Sequence, residues 1–201
     1  MEVVSLFPTA VSRSNIGRPL GSTEYNIFKN LSVTKNVGNV TSENNMILEL
    51  SELQDLKKFI IVNINDYFEK IISPKDNIKP YITMSWANVT TTNGYHHRHV
   101  HKNSIISGVF YVNADEKFDS IMFYKPNYKA VAFTTKNWNV WNSESWEVPT
   151  GTGDLLIFPS DLEHEVKPVK KSDHERISLS FNVFVKGSLG TGPTLDYVEI
   201  N

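Results

Sequence analysis

The sequence predicts a mainly β fold, a sandwich or jelly-roll barrel with one supporting α-helix packed outside. Three observations predict it. From about residue 80 the chain falls into eight short segments rich in β-branched and aromatic residues, separated by Gly, Pro, Asn and Asp. One stretch ahead of them has helical periodicity instead. No composition shift, internal repeat or low-complexity tract marks a second folding unit. A single domain over 1–201 is therefore expected, with N-terminal extended segments and helix at 1–79, a β core at 80–185 and a tail at 186–201.

Residues 1–50 read as short extended pieces and loops, rich in Asn, Ser and Thr. In "SELQDLKKFIIVNINDYFEKII" the residues Leu53, Leu56, Ile60, Ile64, Tyr67, Phe68 and Ile71 recur at three- and four-residue steps, one face of a helix. Ser51 and Gln54 match a capping box at its start, and Pro74 stops it. The strand segments that follow are "YITMSWANV", "SIISGVFYV", "DSIMFYKP", "AVAFTT", "SWEVP", "GDLLIFP", "EVKPV" and "ERISLSFNVFV". Along the last of these Arg176, Ser178, Ser180 and Asn182 share one face, and Ile177, Leu179, Phe181 and Val183 the other. That polar face suits either solvent on an edge strand or a barrel cavity that takes a charged ligand.

With 201 residues, 40% hydrophobic and 21% charged, the composition is that of a globular domain. A net charge of -2 gives no strong nucleic-acid signal. The chain has no cysteine, which excludes disulfides, a thiolate nucleophile and thiolate metal sites. Any metal must be held by nitrogen and oxygen. No signal peptide or apolar run of membrane-spanning length is legible, so a cytoplasmic protein with no membrane partner is expected. Its oligomeric state is not legible.

Four of the six histidines lie in "GYHHRHVHKNS". If this stretch is extended, His97, His99 and His101 share one face, while His96, Arg98 and Val100 take the other. A His-x-His pair on a strand offers two imidazoles to one metal. Of the two remaining histidines, His164 follows the turn after "GDLLIFPS", whereas His174 sits in the charged run "KKSDHER". His164 is the better third ligand, and His174 reads as a solvated bystander. Arg176 and Ser178, just beyond, suit capture of a carboxylate: the guanidinium forms the bidentate pair and the hydroxyl adds a bond. Three of the four tryptophans, Trp138, Trp141 and Trp146, crowd "KNWNVWNSESWEVP", either capping the core or forming a loop over the barrel mouth.

Taken in order, His99-Val100-His101, "SGVFYV", "GDLLIFPS", His164 and "RISLSFN" resemble the iron(II)/2-oxoglutarate-dependent oxygenases. Within them the likeness is to a prolyl-hydroxylase-like group found in bacteria and phages, whose openings "LFPTAVSRSNI" and "TSENNMILELSELQDL" also resemble. The resemblance covers most of the chain, residues 113–150 least. It implies a double-stranded β-helix (jelly roll). It also implies iron(II) held by His99, His101 and His164, the catalytic centre, with 2-oxoglutarate as cosubstrate, its distal carboxylate on Arg176 and Ser178. Asn88 and Tyr111 are implied as further hydrogen-bond donors to the cosubstrate. The reaction implied is decarboxylation of 2-oxoglutarate to succinate and carbon dioxide, coupled to hydroxylation of a small molecule or protein side chain. His97 and His99 would be an alternative pair, but that register shifts "SGVFYV" by two. One departure stands out: the wider superfamily has a carboxylate where this chain has His101. Asp161 or Glu163 could supply it instead. Two other readings use the same residues, a cupin-like three-histidine metalloenzyme without 2-oxoglutarate and a non-catalytic jelly-roll binding module.

Overall fold

The computed structural model describes the whole chain except residues 76–77, 127–130, 132, 170 and 191–195. Its strands are β1 (Ser12–Asn15), β2 (Val33–Lys35), β3 (Val40–Ser42), β4 (Lys79–Thr91), β5 (His96–His99) and β6 (Ile106–Asn113), followed by β7 (Ser120–Tyr124), β8 (Ser145–Pro149), β9 (Asp154–Pro159), β10 (His164–Val166), β11 (Glu175–Leu189) and β12 (Val198–Ile200). The helices are α1 (Ser22–Lys29) and α2 (Gln54–Tyr67). A large antiparallel sheet runs β1-β9-β6-β11-β4-β3-β2, with β12 on the far end of β11, and a smaller sheet runs β5-β10-β7-β8. This is the expected jelly-roll architecture, two sheets with a helix outside. Among the described residues no helix is long and apolar enough to cross a membrane.

The central strands β6, β9 and β11 of the large sheet are buried on both faces over most of their residues, and alternation along each strand sorts the side chains. Phe110, Val112, Leu155, Ile157, Leu179 and Phe181 pack with Leu56, Ile60 and Ile64 of α2. Their neighbours Val109, Tyr111, Leu156 and Phe158 point the other way and meet Ile121 and Phe123 of the small sheet. A strand covered on both faces needs an apolar residue at nearly every position, hence the unbroken "GVFYV" and "LLIF". Gly108 is the exception that packing requires. A Cβ there would lie 2.2 Å from the ring of Phe181 on the adjacent strand β11.

Several sequence expectations are corrected. The first fifty residues contain a helix, α1, where only short extended pieces and loops were expected. Its first turn is held by Glu24, which accepts the N–H of Gly21 at 2.7 Å and pairs with Arg18. The capping box does not form: Ser51–Leu53 is a 3-10 turn, and the Gln54 amide donates to the carbonyls of Leu48 and Leu50. The helical face is buried from Leu53 to Phe68, but Ile71 is exposed, because the chain widens into a π turn over Phe68–Ile72. Ser73 then turns left-handed (φ 48°) ahead of Pro74. "AVAFTT" lies partly outside the described residues, and its described part forms no strand. The "EVKPV" strand begins at His164 and ends at Val166, before Pro168, which has no N–H for a ladder.

Candidate metal centre

Pairing in the small sheet brings the three expected ligands together. His99, the last residue of β5, lies directly opposite His164, the first residue of β10, and His164 lies opposite Phe123 of β7. His101 follows just past β5, where its N–H donates to the carbonyl of Ser160 at 2.9 Å. One ring nitrogen from each of His99, His101 and His164 lies within 4.8 Å of the other two. It is the only such cluster of metal-binding side chains among the described residues, and it contains no carboxylate. Asp161 is exposed and Glu163 pairs with Arg98, so neither supplies one.

The surroundings prepare these nitrogens. Nδ1 of His164 lies 2.9 Å from the carbonyl of Leu162, and Nδ1 of His99 lies 2.6 Å from that of His97. A carbonyl only accepts, so each Nδ1 carries the proton and each Nε2 keeps its lone pair. Nε2 of His101 faces Nε2 of His164 at 3.3 Å. Two nitrogens bound to one ion at about 2.1 Å sit roughly that far apart. Burial keeps the imidazoles neutral: it holds His164 down to about 3 and His101 to about 4, and it lowers His99 as well. Neutral imidazole is the form that binds metal.

Two histidines stand differently from expectation. His96 does not point away. Its ring stacks on His99 at 4.4 Å and lines the pocket with the triad, because β5 is short and its pairing with β10 is irregular between Val166 and His164. Burial, with the positive fields of neighbouring histidines and Arg176, holds it down to about 3. His97 is exposed at the edge of the cluster. His174 is no solvated bystander: it is buried, with Nε2 3.0 Å from Oδ1 of Asp119. Neither Asp119 nor the burial of His174 was legible in a charged run.

The pocket floor is the polar face of β11. That strand lies between β4 and β6, so it is central, and the edge-strand alternative falls away. Register sets Arg176 opposite Thr90, and Ser178 between Asn88 and Tyr111. All five side chains are buried. Arg176 donates from Nη2 to Thr90 Oγ1 at 3.1 Å, while its Nε has no partner, and Asn88 donates to Ser180 while its Oδ1 has none. Unsatisfied buried polar atoms on two residues that line one pocket mark where a polar ligand would complete the bonding. Tyr111 is pushed up to about 12 by burial, against the opposing pull of Arg176, so its hydroxyl stays a donor.

Trp138, Trp141 and Trp146 are 68%, 49% and 48% exposed, which excludes the core-capping reading. Trp146 lies opposite Phe123, so one register row runs His99, His164, Phe123, Trp146 across the small sheet.

Comparison with known proteins gives three findings. A family model described as "Putative 2OG-Fe(II) oxygenase" matches residues 84–182. A comparison with curated proteins finds no match. Similar solved structures include an oxidoreductase of the 2OG-Fe(II) oxygenase family from Burkholderia pseudomallei, at 9% identity and a TM-score of 0.59, with 86% of this chain and 83% of that one covered. A prolyl-4-hydroxylase from Pseudomonas putida has 12% identity and a TM-score of 0.53, with 87% and 92% covered. HygX from Streptomyces hygroscopicus, solved with nickel and 2-oxoglutarate bound, has 12% identity and a TM-score of 0.57, with 87% and 82% covered. At these identities the structural likeness is one of fold.

Proposed function

We propose, from the premise that this chain belongs to the 2OG-Fe(II) oxygenase family through residues 84–182, that its three converging histidines form the iron centre of a 2-oxoglutarate-dependent hydroxylase. The observation that carries this reading is the convergence of His99, His101 and His164 on one side of the pocket, with Arg176 buried in its floor. The donor set fits iron(II): three neutral imidazoles, two with their tautomer held by a carbonyl. When bound, iron(II) and 2-oxoglutarate supply the oxidative decarboxylation that drives hydroxylation of a C–H bond.

The chain's own residues bind, orient and exclude water. Arg176 offers its unpartnered Nε and a charge of the right sign to the distal carboxylate, with Ser178 beside it on the same face of β11. Asn88 and Tyr111, one strand away on either side of Ser178, supply further polar contacts. Phe158 and Val109 wall the same pocket with apolar surface, which strengthens every charge interaction inside it. A third histidine in place of a carboxylate leaves the ligand set neutral, so iron(II) keeps one more positive charge and holds anionic ligands more tightly. The chain leaves β7 at Tyr124 and enters β8 at Ser145, at the end of the small sheet that carries His99 and His164; Trp138 and Trp141, between those strands, and Trp146, in β8 beside them, contact the substrate, a small molecule or a protein side chain. The whole of 1–201 works as one domain.

The test is anaerobic addition of iron(II) and 2-oxoglutarate to the protein. The weak visible charge-transfer band of the chelate is expected. Absence of the band, together with tight binding of some other metal, would overturn the reading in favour of a cupin-like site.

A further inference from the structure

Behind Arg176 lies a carboxylate that this reaction does not use. Asp119, the residue before β7, is 1% exposed. Its Oδ1 is 3.0 Å from Nε2 of His174 and 3.9 Å from Nη1 of Arg176, and its Oδ2 accepts the N–H of Asp115 at 2.9 Å. Among the described residues it is the one carboxylate in ion-pair range of Arg176. The distance matters. At 3.9 Å the pair shares charge without a hydrogen bond, because His174 and the backbone of Asp115 hold the carboxylate back.

A buried guanidinium with no counter-charge is costly, so Asp119 stabilises Arg176 while the pocket is empty. Burial lowers the hold of Arg176 on its proton, and the negative field of Asp119 is among the influences that oppose this. The same field repels a second anion arriving at Arg176. We infer that Asp119 is a resident counter-ion of Arg176, a positioning residue that stabilises the empty site and weakens cosubstrate binding, held at its distance by His174. This rests on the reading of Arg176 as the anchor for the distal carboxylate.

The test titrates 2-oxoglutarate anaerobically into iron(II)-loaded wild type and D119N, followed at the visible band. Thermal melts are run in parallel on both proteins without metal or cosubstrate. D119N keeps the shape and removes the charge. It should bind 2-oxoglutarate at least tenfold more tightly, because the buried negative charge beside Arg176 is gone, yet melt at a lower temperature when empty. Affinity for 2-oxobutanoate, which lacks the distal carboxylate, should not change. D119S should respond in the same direction and stands in if D119N does not fold. Unchanged or weaker binding of 2-oxoglutarate by a folded variant overturns the inference. So does an equal gain for 2-oxobutanoate, or failure of both variants to fold. If the wild type itself does not bind 2-oxoglutarate, the functional reading falls and this inference falls with it.

Discussion

At the scale of single residues, neighbouring histidines have unlike duties. His99 and His164 each spend Nδ1 on a backbone carbonyl and present Nε2 inward, and His101 meets them from just beyond the strand. His96 shares the pocket but lies outside the converging set. H164A should therefore abolish iron(II) binding, measured by equilibrium dialysis or calorimetry, whereas H96A should retain it. Equal losses would mean that the ligand set is wrongly assigned. R176A should spare the metal and weaken 2-oxoglutarate by at least tenfold, since it removes a buried charge-assisted contact.

At the scale of elements, β11 does the organising. It is paired on both sides from Ile177 to Val183, and alternation splits it into an apolar face against α2 and a polar face in the pocket. The fit between those layers is tight at Gly108, whose missing Cβ is filled by Phe181. G108A should destabilise the protein by about 1–3 kcal/mol through overpacking, read from chemical denaturation. A stability equal to wild type would show that the Phe181 ring can move aside, and that the helix-side core is looser than its burial indicates.

At the scale of the whole molecule, the pocket stores four imidazoles that folding keeps unprotonated. His96 and His164 are held down to about 3 and His101 to about 4, with His99 lowered too, in each case chiefly by burial. The unfolded chain protonates the same groups near the ordinary histidine value of about 6.5. Below that pH the unfolded state holds more protons, so stability falls as pH falls and rises again as it is raised. The metal-free protein should lose stability between about pH 6.5 and pH 4, with the slope reduced in H96A. A flat stability profile over that window would show that the histidines are solvated when metal-free.

What the sequence determined by itself was whatever is written locally or in order along the chain. Helical spacing from Leu53 to Phe68, the apolar runs of β6 and β9, and the ordered set His99, His101, His164, Arg176 were all legible, because period and spacing carry them. The tertiary structure alone decided what depends on which strands become neighbours. The charged run around His174 looked solvent-exposed, and only the approach of Asp119 from 55 positions away made it buried. His96 belongs to the wrong face of an ideal strand, and only the irregular pairing of β5 with β10 turned it into the pocket. The polar face of β11 could have met water, until β4 and β6 closed over both edges and the small sheet covered it. Burial, charge balance and register are properties of assembled strands, so the candidate ligands were legible in the sequence and their electrostatics only in the fold.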